Sequence, residues 1–167
     1  MNLFEIEFAT GDLLRAANVT NPSLQTWIRR ELIVGHKVDM PGGPGTKRQF
    51  SFFNIMEVAT AKALIDVGLQ TSNAFQAAGR FAHMGSGRLP SLPAPGDGKT
   101  LLCVAGSRSV TIQQTPTGDA FGTARHLLGK PPGFVVLDIS ELFDRVCGAL
   151  GFHPEAVLAQ AYPDGAA

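Results

Sequence analysis

Residues 20–32, TNPSLQTWIRREL, have the spacing of a short amphipathic helix. The apolar residues at helical spacing are Leu24, Trp27, Ile28 and Leu32. Thr20 or Asn21 can cap this helix, and Pro22 then stands in the first turn, where its missing N–H group costs no hydrogen bond. The pattern therefore predicts a helix that buries Trp27 against the rest of the protein.

The opposite face of this helix is polar and basic. It carries Ser23, Gln25, Thr26, Arg29 and Arg30. Side chains of these types hydrogen-bond to base edges in the major groove or to phosphates. A solvated surface helix has the same composition, so the flanking segments must distinguish the two interpretations.

A second short helix is predicted just before this one, beginning near Thr10. Its inward positions are apolar: Leu13, Leu14 and Ala17. Asn18 tolerates the left-handed conformation found at helix ends, and Val19 fills the turn. Two short helices joined by so tight a turn are typical of a helix-turn-helix, whose second helix enters the major groove of DNA.

A basic hairpin is predicted directly after residue 32. Ile33, Val34 and Val38 indicate its first strand, residues 46–50 indicate its second, and PGGPG at 41–45 forms the tip. The basic residues beside the tip are Lys37, Lys47 and Arg48. Such a hairpin is a wing, which can contact phosphates or the minor groove.

The order of these motifs resembles the winged helix-turn-helix of the MerR family over about residues 8–81. The matching sequences are Asn18-Val19-Thr20, the Trp27 helix ending in RREL, Arg48-Gln49-Phe50, and Phe53-Asn54-Ile55 opening a helix. The resemblance implies binding to double-stranded DNA. Phage excisionases and small terminase subunits use the same type of module. The chain differs from effector-sensing members in having neither a long coiled-coil helix nor a cysteine cluster.

The predicted fold is α+β, with a winged helix-turn-helix in residues 1–83. A Gly/Pro-rich linker or long exposed loop follows at 84–98. Residues 99–153 form a small unit with strands at 101–105, 109–114 and 134–137 and a helix at 138–150, and 154–167 form a tail. Such a small unit must pack on the N-terminal module or pair with a second copy. Pairing is favoured because DNA readers often use two-fold symmetry.

Composition sets broad limits on function. The 167 residues contain 14 basic and 14 acidic side chains, so no global basic charge marks a nucleic-acid-binding protein. Cys103 and Cys147 lie in apolar contexts without metal-ligand spacing, which predicts buried reduced thiols. No apolar run approaches the roughly 18 residues of a membrane span, and a cytoplasmic protein is expected.

No enzyme motif and no metal or cofactor site is predicted. Gly-x-Ser-x-Gly and HExxH are both absent from the sequence. The carboxylates of the N-terminal module are assigned to surface positions: Asp12, Glu31, Asp39 and Glu57. His36 is expected to be exposed, and no metal spacing links His83, His126 and His153.

The sequence therefore predicts a transcriptional regulator of bacterial or phage type that binds DNA as a homodimer through residues 99–150. RNA polymerase is a further candidate partner. Base contacts are expected from Ser23, Gln25, Thr26 and Arg29, and phosphate contacts from Arg30, Lys37, Lys47 and Arg48. Two alternatives stay open: a phage packaging or excision protein, and an interaction adaptor that keeps the winged fold without contacting DNA.

Overall fold

A computed structural model describes residues 2–37, 47–85 and 88–164 of the chain. It confirms an α+β fold within these ranges. The helices are α1 (Thr10–Ala17), α2 (Asn21–Arg29), α3 (Phe52–Asp66), α4 (Thr71–His83), α5 (Ala120–Leu127), α6 (Ile139–Leu150) and α7 (Pro154–Ala161). The strands are β1 (Phe8–Ala9), β2 (Gln49–Phe50), β3 (Lys99–Ala105), β4 (Arg108–Gln114) and β5 (Val135–Asp138).

Helices α1 and α2 follow one another through the predicted tight turn. Asn18 adopts the left-handed conformation, with φ of 53°, and Val19 N donates to Leu14 O at 3.0 Å. Thr20 caps α2, because its hydroxyl oxygen accepts a hydrogen bond from Ser23 N. Trp27 is 8% exposed and packs edge-to-face on Phe75 of α4, with ring centroids 5.1 Å apart. The two predicted helices and the buried tryptophan are confirmed.

Helix α2 ends in a Schellman motif three residues before the predicted end at Leu32. Leu32 N donates to Trp27 O at 3.1 Å, and Glu31 N donates to Ile28 O at 2.9 Å. Glu31 occupies the left-handed position of this motif, with φ of 53°, which glycine fills at lower cost. The motif reverses the chain, so that Ile33 turns back into the core.

Helix α3 is the centre of the fold. Residues 54–61 are all buried, and consecutive residues of a helix point in every direction around its axis. The helix is covered by α1, α4 and α6. Neither α3 nor any other helix in the described ranges is long and apolar enough to cross a membrane.

The expected first strand of the wing is wrong for Ile33 and Val34, which lie in a turn. The N–H of Val34 donates to Glu57 Oε1 at 3.1 Å, and its carbonyl accepts from Asn54 Nδ2 at 3.0 Å. Both backbone groups are therefore unavailable to a strand partner. Strand β2 pairs instead with β1, where Phe8 lies opposite Phe50. Val38 and the 41–45 tip lie outside the described residues.

The three expected C-terminal strands are confirmed, and they form an antiparallel sheet in the order β4-β3-β5. Cys103 of β3 lies opposite Val110 of β4 and Val136 of β5. Leu102 and Val104 face the main core, whereas Cys103 and Ile112 face a smaller cluster beneath α5. The sheet therefore has one face on the main core and one on α5.

The C-terminal unit packs on the N-terminal module, the arrangement that the sequence analysis ranked second. Phe143 of α6 contacts Phe52 of α3 edge-to-face, with ring centroids 6.2 Å apart. Arg15 of α1 donates through Nε to Ala149 O at 3.2 Å. One apolar cluster continues from Leu3 to Val157. The apolar surface of α6 is thus covered within the same chain.

Two expectations need correction, one for the connecting segment and one for the C-terminal tail. The segment 84–98 is not exposed throughout: Ser91 and Leu92 are buried, and Ser91 Oγ donates to Ala82 O at 2.9 Å. The expected tail contains α7, which begins at Pro154 and buries Val157. Neither segment shows a clear apolar period in the sequence, but Leu92 and Val157 each pack into the main core, which distant residues build.

We expect Glu31→Gly to raise the free energy of unfolding by about 0.5–1 kcal/mol, because glycine adopts the left-handed conformation without steric cost. Urea unfolding measures the change. The control is Arg30→Gly, whose φ of −83° suits any residue, and which should destabilise the protein. A loss of stability in Glu31→Gly would show that the Glu31 side chain has a stabilising role.

Candidate nucleic-acid interface

Helix α2 has a buried apolar face and an exposed polar face, as its sequence predicts. Leu24, Trp27 and Ile28 are buried. The exposed side chains are Gln25, Thr26, Arg29 and Arg30. Ser23 is half-buried, and its Oγ contacts the hydroxyl of Thr20 at 3.0 Å. Of the five residues predicted on this face, Ser23 is therefore the least available to a partner.

Contacts along α2 orient three of the exposed side chains. Gln25 Nε2 donates to Asn21 Oδ1 at 3.2 Å, and Thr26 Oγ1 donates to Pro22 O at 2.9 Å. Arg29 Nη2 donates to Thr26 Oγ1 at 3.4 Å. Arginine has five N–H donors, so this single long hydrogen bond leaves Arg29 able to form a two-donor contact with an acceptor pair.

A second group of basic residues flanks the segment 38–46. Lys37 and Lys47 are exposed, and Arg48 is half-buried. Arg48 Nη1 donates to Lys37 O at 3.1 Å, which links the chain entering this segment to the chain leaving it. The structure thus brings the Arg48 side chain to the backbone of Lys37.

Charge is concentrated in these two regions although the whole chain is neutral. Residues 20–37 and 47–48 carry five basic side chains and one acidic side chain, Glu31. The remainder of the chain carries nine basic and thirteen acidic side chains. Each of these regions therefore has a local excess of positive charge, which attracts polyanions even when net charge is zero.

A buried polar cluster lies beneath the second basic group, and it corrects two predictions. Glu57 was assigned to the surface and His36 was expected to be exposed, but their exposed fractions are 0% and 7%. We call the four residues Glu57, Asn54, His36 and His83 the Glu57 cluster. His83 Nε2 lies 2.7 Å from Glu57 Oε2, and His36 Nε2 lies 3.1 Å from Asn54 Oδ1.

The hydrogen bonds of the cluster place a proton on Nε2 of His36. Asn54 Nδ2 donates to Val34 O and Glu57 Oε2, so Asn54 Oδ1 is the acceptor and His36 Nε2 carries the proton. His36 Nδ1 is buried and has no hydrogen-bond partner among the described residues. Burial lowers the pKa of His36 below 6.5, and the positive charge of Arg48 acts in the same direction, whereas the Asn54 hydrogen bond opposes them.

Sequence reasoning missed this cluster, although one signal was present. Glu57 interrupts the apolar run IMEVATAKAL, in which buried positions recur on every side of the helix. A lone carboxylate in such a run is buried with partners more readily than it is exposed. The partners His36, Asn54 and His83 are distant or unpatterned in sequence, so their identity required the fold.

Two further site predictions concern metals and thiols. Within the described ranges, no group of three or more His, Cys, Asp or Glu side chains could hold a metal ion. Cys103 and Cys147 are buried and unpaired, as expected. Burial raises the pKa of the Cys103 thiol to about 11 and that of Cys147 to about 12, so neither forms a reactive thiolate at neutral pH.

We expect the stability of the protein to fall as the pH drops below 6.5, partly through His36. The folded state keeps this imidazole neutral in a range where the unfolded chain takes up a proton, so the unfolded state is favoured as the pH falls. His36→Gln should reduce the decline in free energy of unfolding between about pH 7.5 and pH 5.5. His126→Gln, at an exposed histidine, is the control. Equal declines in wild type and His36→Gln would refute the assignment.

Comparison with known proteins adds no assignment. The chain matches no protein-family model, and no curated protein matches it. The resemblance of residues 8–81 to the MerR family therefore rests on the sequence motifs alone. Function has to be inferred from the exposed face of α2 and the basic residues beside it.

Proposed function

We propose that this chain is a sequence-specific DNA-binding transcriptional regulator of bacterial or phage type, with a MerR-like winged helix-turn-helix in residues 1–83. One observation carries the proposal: α2 buries Trp27 and its apolar neighbours and exposes Gln25, Thr26, Arg29 and Arg30. An anchored helix with a polar and basic outer face has the features of a major-groove reader.

In this proposal α2 enters the major groove and supplies the base contacts. The amide of Gln25 matches the donor and acceptor of adenine, and the guanidinium of Arg29 matches the two acceptors of guanine. Thr26 and Ser23 lie on the same helix and contact neighbouring base edges. Arg30, the cap residue at the C-terminal end of α2, contacts phosphate.

The second basic group supplies sequence-independent affinity. Lys37, Lys47 and Arg48 contact the phosphates that flank the groove. The hydrogen bond from Arg48 to Lys37 O supports this role, since it holds two of the three residues in one place. Each phosphate contact releases counterions, so affinity falls as salt rises.

The regulator acts as a homodimer through residues 99–150, with RNA polymerase as a further candidate partner in the cytoplasm. Three large apolar side chains of this segment support a contact with another chain, because each is about half exposed or more: Phe121, Leu127 and Val136. Two-fold symmetry would double the DNA contacts on two half-sites.

We expect Arg29→Ala and Lys47→Ala to weaken DNA binding in different ways. Arg29→Ala should cost about 1–3 kcal/mol of discrimination at one base pair. Lys47→Ala should weaken binding to all sequences and lower the slope of log affinity against log salt by about one. Selection from random duplexes gives the base preference, and anisotropy titrations at two salt concentrations give the slope.

Arg80→Ala is the matched control for both variants, because Arg80 is an exposed arginine on α4, outside both the candidate interface and the proposed dimer segment. It should leave base preference and salt slope unchanged. An equal effect of Arg80→Ala and Arg29→Ala would contradict a reading role for α2. A wild-type protein that binds no duplex at low salt would refute the proposed function and favour the adaptor alternative.

We expect sedimentation equilibrium at micromolar concentration to give a dimer. Phe121→Ser, which replaces a side chain that is 66% exposed, should shift the equilibrium toward monomer without unfolding the chain. A monomeric wild type would contradict the dimer. A ring of about eight or more subunits would favour the phage packaging alternative instead.

A further inference from the structure

We propose that Glu57 is a positioning residue that holds the basic segments of the candidate interface in place. The inference concerns the buried Glu57 cluster, which none of the proposed DNA contacts includes. Only the part of the inference that concerns DNA binding rests on the proposed function, because the position of the segments that Glu57 holds can be tested without DNA.

The carboxyl of Glu57 collects hydrogen bonds from three separate parts of the chain. Its side chain is 0% exposed. Oε1 accepts from Val34 N at 3.1 Å, in the turn after α2. Oε2 accepts from Asn54 Nδ2 at 3.4 Å and from His83 Nε2 at 2.7 Å, the latter at the end of α4. One buried group thus joins α3 and α4 to the segment that leads into residues 38–46.

Asn54 extends the same network to the segment that follows residue 46. Its Nδ2 donates to Val34 O, and its Oδ1 accepts from Ser51 N, Ser51 Oγ and His36 Nε2. The His36 ring stacks on Phe50 of β2, with centroids 4.5 Å apart. The chain on both sides of residues 38–46 is therefore fixed to a single buried cluster.

The residues held in this way carry the second basic group. Lys37 directly follows His36, and Lys47 and Arg48 precede the strand that contains Phe50. The hydrogen bond from Arg48 to Lys37 O joins these two stretches of the chain at the protein surface. Displacement of Val34 and His36 would therefore move the proposed phosphate contacts, whereas the base-reading face of α2 would stay anchored by Trp27.

The cost of burying a carboxyl supports a positioning role over a purely stabilising one. A buried polar group without full hydrogen bonding destabilises a fold, and an apolar residue of similar size packs a core at least as well. The donors to Glu57 include a loop amide that no strand or helix satisfies. The carboxyl therefore selects one conformation for this loop, which an apolar side chain could not do.

The test uses the full chain with Glu57→Gln, which keeps the size of the side chain but replaces one acceptor oxygen with an NH₂ donor. At least one of the three donors then faces another donor. We expect amide hydrogen exchange in residues 33–37 and 47–50 to rise by about tenfold, with exchange in α1 and α6 unchanged. DNA affinity should fall by about tenfold for all sequences, with a smaller salt slope and the same base preference.

Thr60→Val is the matched control. Thr60 lies three residues further along α3 and is 0% exposed, and within the described part of the chain its hydroxyl has no hydrogen-bond partner. Its replacement should leave exchange and DNA binding as in the wild type. His36→Phe is the second variant if Glu57→Gln fails to fold, because it preserves the stack on Phe50 and removes only the hydrogen bond to Asn54. It should raise exchange in residues 33–37 and 47–50 alone.

Three results would overturn the inference. The first is unchanged exchange in residues 33–37, and the second is an equal rise in every element, which would indicate a general loss of stability. The third is an altered base preference in Glu57→Gln, which would place its effect on α2. If the wild type binds no DNA, the proposed function fails. The exchange measurement still tests whether Glu57 holds residues 33–37 and 47–50 in place.

Discussion

Helix α3 constrains the whole fold, because it is stable in water only when it is covered on every side. Its buried residues run without interruption from 54 to 61, so no face of this part of the helix is left for solvent. Helices α1 and α4 cover it from the N-terminal half, and α6 covers it from the C-terminal half. This requirement explains why the two halves share one apolar core across a Gly/Pro-rich connection instead of folding apart.

The burial of α3 also determines where its polar residues find hydrogen-bond partners. Glu57 and Asn54 leave water when α3 is covered, so their hydrogen bonds must come from the protein. They obtain them from the backbone of Val34 and from two histidines. Buried side chains of α3 therefore hold the surface segment that carries Lys37, and the positions of Glu57 and Asn54 help to determine the geometry of the candidate interface.

Helix α2 is anchored to this core by apolar packing. Trp27 packs on Phe75, and a Schellman motif ends the helix without glycine. The exposed arginines are thereby placed on a rigid element, while the rest of the chain carries the compensating acidic side chains. A neutral protein can in this way present a positive surface to a polyanion.

The sequence by itself determined helices α1, α2, α3 and α6, the C-terminal strands, the burial of Trp27 and the exposure of Arg29 and Arg30. Those features follow from local periodicity and capping, which a short window contains. Tertiary structure alone decided the turn at Val34, the pairing of β2 with β1, and the burial of Glu57 and His36. Each of these depends on hydrogen-bond partners or covering helices from distant parts of the chain, and contacts of that kind leave no period in the sequence.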